Sequence, residues 1–398
     1  MPDLLPILTS LAWPIALAVA WLAGEFGQRF TGLPRISFYG LVGFALGSTQ
    51  AGVLPAPDAG PVALLADIAF GLILFELGYR INLRWLRTNP WIGAGGLAGA
   101  LLTFVAVFLV ALAFGTSQLV ALMMAALSMG TSPATVVRII NEQRSSGQVT
   151  ERVLHLTAMN CVLAIFAFNA IVGFWIFHTF DALGDALWQS LVMLAGSALV
   201  GAVFGVAVPA LLRAIGNPDR DATVAFALSV LLLVAICDAG ALSPYVATLA
   251  FGLAARHRRI AFSHAQRNFG ALGELLTVLL FVYAASTLDW RQLAIGSALG
   301  LAVIAVLLGA GTKVLGATAF AYKSGISWRK GALTGIGLAP LSVFVILLIE
   351  HARQAGVHVP EELRAMAAVT MLLEVFGPII IQRALVWARE APENPHAA

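Results

Sequence analysis

Apolar stretches of about 20 residues, long enough to cross a bilayer as a helix, recur along the whole of this 398-residue chain with short polar connections between them. That pattern leaves little choice of fold: the apolar faces must be solvated by lipid or by each other. Composition agrees. The chain is 60% hydrophobic and only 11% charged, where a soluble domain carries about 25% charged residues. So few charges cannot cover a water-facing surface, which excludes the two or three soluble domains that length alone would suggest. The reading is an all-α polytopic membrane protein forming one unit over 1–398.

The first apolar run is a span rather than a secretory signal. It has no basic start and runs into Gly24-Glu25-Phe26-Gly27 instead of a small-residue cleavage site. Cys161 and Cys237 both fall inside apolar runs, too few for a disulfide framework and wrongly spaced for a metal site. No cofactor or metal is expected. A net charge of +3 is no argument for nucleic acid; in a membrane chain the placement of the basic residues is what informs.

Thirteen spans are expected, at 4–24, 36–54, 62–79, 91–114, 117–140, 153–177, 187–212, 222–237, 242–255, 269–286, 294–321, 331–350 and 365–388. The basic residues test this count. Nineteen of the 23 Lys and Arg fall on one side, only Arg291, Arg353 and Arg364 on the other, and Lys313 stays within a span. Basic residues are retained in the cytoplasm during insertion. The N-terminus is therefore expected outside and the C-terminus inside, and one span more or fewer would scramble the sorting.

Two spans carry helix breakers at mid-length: Gly130-Thr131-Ser132-Pro133 in the fifth and Gly335-Ile336-Gly337-Leu338-Ala339-Pro340 in the twelfth. Proline removes a backbone donor and clashes with the preceding turn. Freed backbone groups survive at membrane depth only inside protein or beside a wet cavity. Paired breaks at matched positions point to a transporter of inverted repeats; a proline kink that only shapes packing is the plainer alternative. The expected division is a first repeat over 1–186, a linker span over 187–215, a second repeat over 216–390 and a short tail over 391–398. Pro133, Gly337 and Pro340 are the candidate helix-break residues.

Few ionisable residues lie at membrane depth, where charge is costly and functional by default. Lys313 and Glu374 are both mid-span, and Lys313 is too central to snorkel to an interface. Glu374 is its candidate partner. Glu76 and Arg80, spaced i, i+4, are expected to pair with each other. Glu274 and Asp238 lie near span ends and are expected to be solvated.

Several segments in order resemble bacterial monovalent cation:proton antiporters of the sodium/proton and Kef-type potassium efflux branch. They are Asp67–Leu86 (DIAFGLILFELGYRINLRWL), Thr131–Glu142 (TSPATVVRIINE), Ala158–Ile165 (AMNCVLAI), Gly311–Gly316 (GTKVLG) and Gly335–Pro340 (GIGLAP). The resemblance implies a homodimer in the bacterial inner membrane, with one bundle for dimerisation and a core bundle that moves against it. Its implied substrates are a monovalent cation and protons, competing for an aspartate of the sixth helix by alternating access around the broken helices.

The chain departs from that pattern at its centre. The family carries Asp-Asp or Asn-Asp in the sixth helix, and this chain carries Asn160-Cys161. A thiol is a poor ligand for a hard alkali cation, which prefers oxygen. Leu341-Ser342-Val343 stands where the family often carries an Arg-Gly-Glu stretch, and Arg80 where many members carry an acid. Three readings follow. In the first, Glu374 takes over the carboxylate role, with Asn160, Thr131, Ser132 and freed carbonyls around the ion. In the second, a site with Lys313 and no aspartate is uncoupled, or selects an anion or neutral solute. In the third, the chain is a non-transporting scaffold. An intramembrane enzyme is the weakest reading, since Cys161 has only His155 in its span, near the far end.

Overall fold

The computed structural model describes residues 4–55, 61–177, 182–215, 218–257, 269–287, 296–341, 343–354 and 359–391. Arg291, Ser342 and the tail beyond 391 lie outside the described residues, as do Arg258, Arg259 and Arg267, three of the nineteen basic residues assigned to one side. Among the described residues the chain is helical, without strands. It begins with α1 (Leu4–Thr31), α2 (Arg35–Leu46), α3 (Pro61–Arg80), the short α4 (Leu83–Thr88) and α5 (Pro90–Ala113). The fifth expected span is two helices, α6 (Gln118–Met129) and α7 (Pro133–Glu142). Then come α8 (Gln148–Phe177), α9 (Ala182–Ile215), α10 (Pro218–Ala239), α11 (Pro244–His257), α12 (Gly270–Ser286) and α13 (Ser297–Ala319). The twelfth expected span is again two, α14 (Trp328–Gly337) and α15 (Val343–Gln354), and α16 (Glu361–Trp387) closes the fold.

Among the described residues, seven helical spans are long and apolar enough to cross a membrane, or eight if the bent α16 is one. α2 and α12 are apolar but shorter. The second span was expected to reach residue 54, yet α2 stops at Leu46 because Gly47 leaves helical geometry. The chain then coils back, with Leu54 N donating to Leu46 O at 2.9 Å. The short α4 was not expected. Its start is set by Asn82, whose side chain accepts from Trp85 N.

The helices pack as two bundles. α1, α2, α3 and α9–α12 form one; α5–α8 and α13–α16 form the other. In the first, α11 lies between α3 and α9 at backbone contact. A Cβ on Gly252 would fall 2.0 Å from Phe75 O, and one on Gly201 would fall 2.0 Å from Ala247 O. Close approach at small residues is how helices associate in lipid, where no hydrophobic force favours helix over tail. Phe75 fills the same seam, with ring centroids 5.1 Å from Phe226 and 4.6 Å from Phe251. In the second bundle, Gly316 of α13 meets Gly99 of α5, and Gly335 of α14 meets Val314, each too closely for a Cβ.

Besides the packing of α8 on α9 and of α16 on α2, side chains of α7 and α15 join the bundles at two further places. α7 reaches the first bundle through Asn141 Nδ2, which donates to Glu76 Oε1 at 2.7 Å, and through Arg138 Nη2, which donates to Gly273 O at 2.7 Å. Further along, Phe344 of α15 stacks on Phe70 of α3 at 5.8 Å and meets Tyr245 of α11 edge-on at 5.9 Å. The aromatic contact stands at the helix breaks, with the Phe344 ring against Gly130.

Candidate functional site

Each break has a local cause. α6 ends at Met129 with Gly130 at its C-cap, and α7 restarts with Ser132 as N-cap and Pro133 in the first helical position. Ser132 Oγ accepts from Thr135 N at 3.2 Å, which satisfies a donor that the new helix leaves free. Proline costs nothing there because its missing donor would be unused. α14 ends at Gly337, Leu338 and Ala339 turn away, and α15 restarts at Val343 after Pro340. Gly337 packs on Val153 and Gly377 on Pro340, both at distances that leave no room for a Cβ.

The two breaks satisfy each other. Ser132 N donates to Pro340 O at 2.9 Å, and Thr131 Oγ1 donates to Leu338 O at 3.1 Å. α8 runs past this junction. Asn160 Nδ2 donates to Thr131 Oγ1 at 3.0 Å, and Cys161 Sγ donates to Thr131 O at 3.3 Å. Lys313 Nζ, 3% exposed, donates to Gly130 O, a carbonyl at the C-terminal end of α6. A cation at a helix C-terminus complements the negative end of its dipole.

Glu374, 1% exposed, receives donors on both oxygens. Val343 N donates to Oε1 at 2.5 Å and Thr135 Oγ1 donates to Oε2 at 2.7 Å. Ser132 Oγ lies 3.3 Å from Oε1. The carboxylate thus sits where α7 and α15 both begin, facing two helix N-termini with free donors and positive dipole ends.

This overturns one expectation. Lys313 and Glu374 do not pair: among the described residues the ammonium has no carboxylate within ion-pair distance. Lys313 answers the end of one half-helix, while Glu374 answers the beginnings of two others. The remaining predicted residues, Thr131, Ser132, Asn160 and Cys161, gather at the same junction. Glu76 and Arg80 do pair, at 3.0 Å, and Arg80 also reaches Asn141. Asp238 is exposed, and Glu274 sits half-exposed 3.3 Å from Arg35. His155 is occupied by Asn82 N at 2.9 Å and Glu151 O at 2.7 Å.

Sequence reasoning missed Thr135 and the Val343 amide. The first had a signal, since a Ser N-cap places the residue three further on beside its own hydroxyl. The second had none, because a backbone donor carries no sequence mark. Among the described residues, four buried side-chain oxygens lack a protein partner: Gln143 Oε1 and, on the helices of the site, Asn160 Oδ1, Thr157 Oγ1 and Thr370 Oγ1. Thr157 and Thr370 each stand one helical turn from Cys161 and Glu374, a spacing that puts them on the same helix faces. Buried oxygens without partners are rare and mark places where water or an ion belongs.

Two crossed, interrupted helices joined at a buried polar seam, inside an all-helical apolar fold, define a membrane transporter. The sodium/hydrogen exchanger transmembrane family matches residues 15–387, and the chain belongs to that family. In three dimensions it is similar to the sodium proton antiporter MjNhaP1 from Methanocaldococcus jannaschii, with a TM-score of 0.70 at 15% identity. That match covers 94% of this chain and 95% of the other, a likeness of fold over the full length of both. No functionally curated protein matches the sequence.

Proposed function

We propose that this chain exchanges a monovalent cation, Na⁺ or K⁺, for protons, and that Glu374 is the group for which they compete. The observation that carries this is the seat of Glu374 at the shared beginning of α7 and α15, with donors on both oxygens. A carboxylate buried among helices is neutralised by either a proton or a cation, and cannot hold both. Asn160 Oδ1, which lacks a protein partner, and the Thr131 and Ser132 oxygens are the further ligands. Cys161 serves as a hydrogen-bond donor to the seam and takes no part in binding. Family membership supports cation:proton exchange as the reaction; the choice of carboxylate is this chain's own.

The positive helix ends that would otherwise favour an anion are already answered by Glu374, which weighs against an anion carrier. Access to the buried carboxylate then needs the bundles to part at one contact at a time. Opening the α7 contact separates Asn141 from Glu76, and opening the other separates Phe344 from Phe70 and Tyr245. We place the chain in a bacterial inner membrane as a homodimer with thirteen crossings, its N-terminus outside and C-terminus in the cytoplasm. In this arrangement spans 1–6 and 8–13 form two repeats of opposite orientation. The charge distribution supports this placement.

The test is exchange in proteoliposomes, read by a pH-sensitive dye while a Na⁺ or K⁺ gradient is applied. Wild type should move protons against the cation, and Glu374→Gln should lose at least about a hundredfold of that rate. Flux in wild type that ignores Na⁺, K⁺ and pH alike would overturn the reading.

A further inference from the structure

Some 15 Å along α8 from the site, at 1.5 Å per residue, one carboxylate gathers the ends of three site-bearing helices. α16 ends in a reversal. Arg389 adopts a left-handed φ of 59°, Arg389 N donates to Val386 O at 2.9 Å, and Glu390 N donates to Leu385 O at 3.0 Å. This pair of bonds closes a helix C-terminus and turns the next side chain back across it. The turn delivers Glu390 to the beginning of α8. Its Oε2 accepts from Val149 N at 2.9 Å, Thr150 N at 2.8 Å and Thr150 Oγ1 at 3.0 Å. Its Oε1 accepts from Val149 N at 3.0 Å and Lys330 Nζ at 3.3 Å.

α8 has no cap of its own. Gly147 precedes it, with φ at 154° and Glu390 so close that a Cβ would fall 2.3 Å from the carboxylate carbon. The acceptor that Ser or Asp would ordinarily supply from that position comes instead from Glu390, 241 positions beyond Val149 in the chain. The first turn of α14 joins the same knot: Lys330 pairs with Glu390, and Arg329 Nη2 donates to Trp387 O, the last residue of α16, at 3.0 Å. Ser146 N donates to Glu390 O at 3.1 Å, so the peptide binds as well as the side chain. Burial draws the Glu390 carboxyl upward, but the hydrogen bonds from Val149, Thr150 and Lys330 outweigh it and hold the group below the usual carboxylate range.

We propose that Glu390 is a positioning residue for the ion site: it binds the ends of α8, α14 and α16 into one rigid body. These helices carry Asn160 and Cys161, the Gly337 break and Glu374 respectively. Their far ends can keep register through a bundle movement only if their near ends are fixed together. A cap with no such role would be built from the neighbouring residue, as Ser132 and Ser327 are for α7 and α14.

The experiment is hydrogen–deuterium exchange on the full-length protein in detergent, comparing wild type, Glu390→Gln and Glu390→Ala. If the clamp positions the site, peptides over 127–136 and 336–346 exchange at least about threefold faster in Glu390→Ala. Glu390→Gln keeps an acceptor, so it falls between the two and remains informative if the alanine variant does not fold. Acceleration confined to residues 147–153 and the last turn of α16, or no acceleration, overturns the proposal. The same variants are assayed for exchange in proteoliposomes. Because this inference rests on Glu374 and Asn160 forming the ion site, Glu390→Ala should raise KM for the cation by about tenfold and change kcat little. A wild type that transports no cation would speak against the proposed reaction alone, and the exchange at the breaks would still decide the role of Glu390.

Discussion

At the scale of single residues, the substitution that most separates this chain from the pattern it resembles is Cys161. Its thiol is 1% exposed and donates to Thr131 O. That bond supports the non-helical stretch before Ser132 without placing a charge beside Glu374. A hydroxyl can do the same, so Cys161→Ser should keep exchange within about threefold of wild type, the loss expected when one hydrogen bond is altered but retained. Cys161→Asp should behave differently. An ionised aspartate has no proton for Thr131 O, so it must capture a proton or a cation to remain there, and the pH profile of exchange should shift. Proteoliposome assays of both variants check this. If Cys161→Ser is silent and Cys161→Asp has the only activity, the thiol marks lost coupling rather than a tolerated donor.

At the scale of helices, legibility in the sequence followed the kind of signal each element left. The breaks were visible because Gly130, Pro133, Gly337 and Pro340 are covalent statements about backbone shape, and both breaks stand where the sequence placed them. Glu76 and Arg80 were legible from a spacing on one helix. The partner of Lys313 was not, because it is a backbone carbonyl exposed by the end of α6, and nothing in the residue Gly130 announces a free acceptor. The role of Glu390 was hidden for a different reason: it lies past the last apolar run and acts on a helix far earlier in the chain. The early end of α2 shows the limit of hydropathy, which continued through Gly47 where the backbone did not. The glycines at the contacts of α11, Gly252 of α11 and Gly201 of α9, were ordinary in sequence and decisive in packing. Gly252→Ala puts a methyl group where Phe75 O lies 2.0 Å from its Cβ. It should destabilise the protein by about 1–3 kcal/mol, as overpacking does, visible as a lower Tm in detergent. An unchanged Tm would mean that α3 and α11 can separate freely.

At the scale of the whole molecule, the two bundles meet through side-chain contacts of different chemistry. One is polar, built on Glu76, Asn141 and Arg138, and the other aromatic, built on Phe70, Tyr245 and Phe344. Lys313 adds a consequence for energetics. Its ammonium is held by a peptide oxygen, which does not titrate, so the proposed loading of Glu374 leaves it the same partner. In the exchange proposed above, Glu374 is the single exchangeable charge, filled by one proton in one direction and one alkali ion in the other. Such a carrier generates no current: clamping the voltage across a proteoliposome membrane should leave its rate unchanged, and a recorded current would show a second ionisable group in the cycle. A cell using it could draw on the two chemical gradients, but its electrical potential would do no work through this protein.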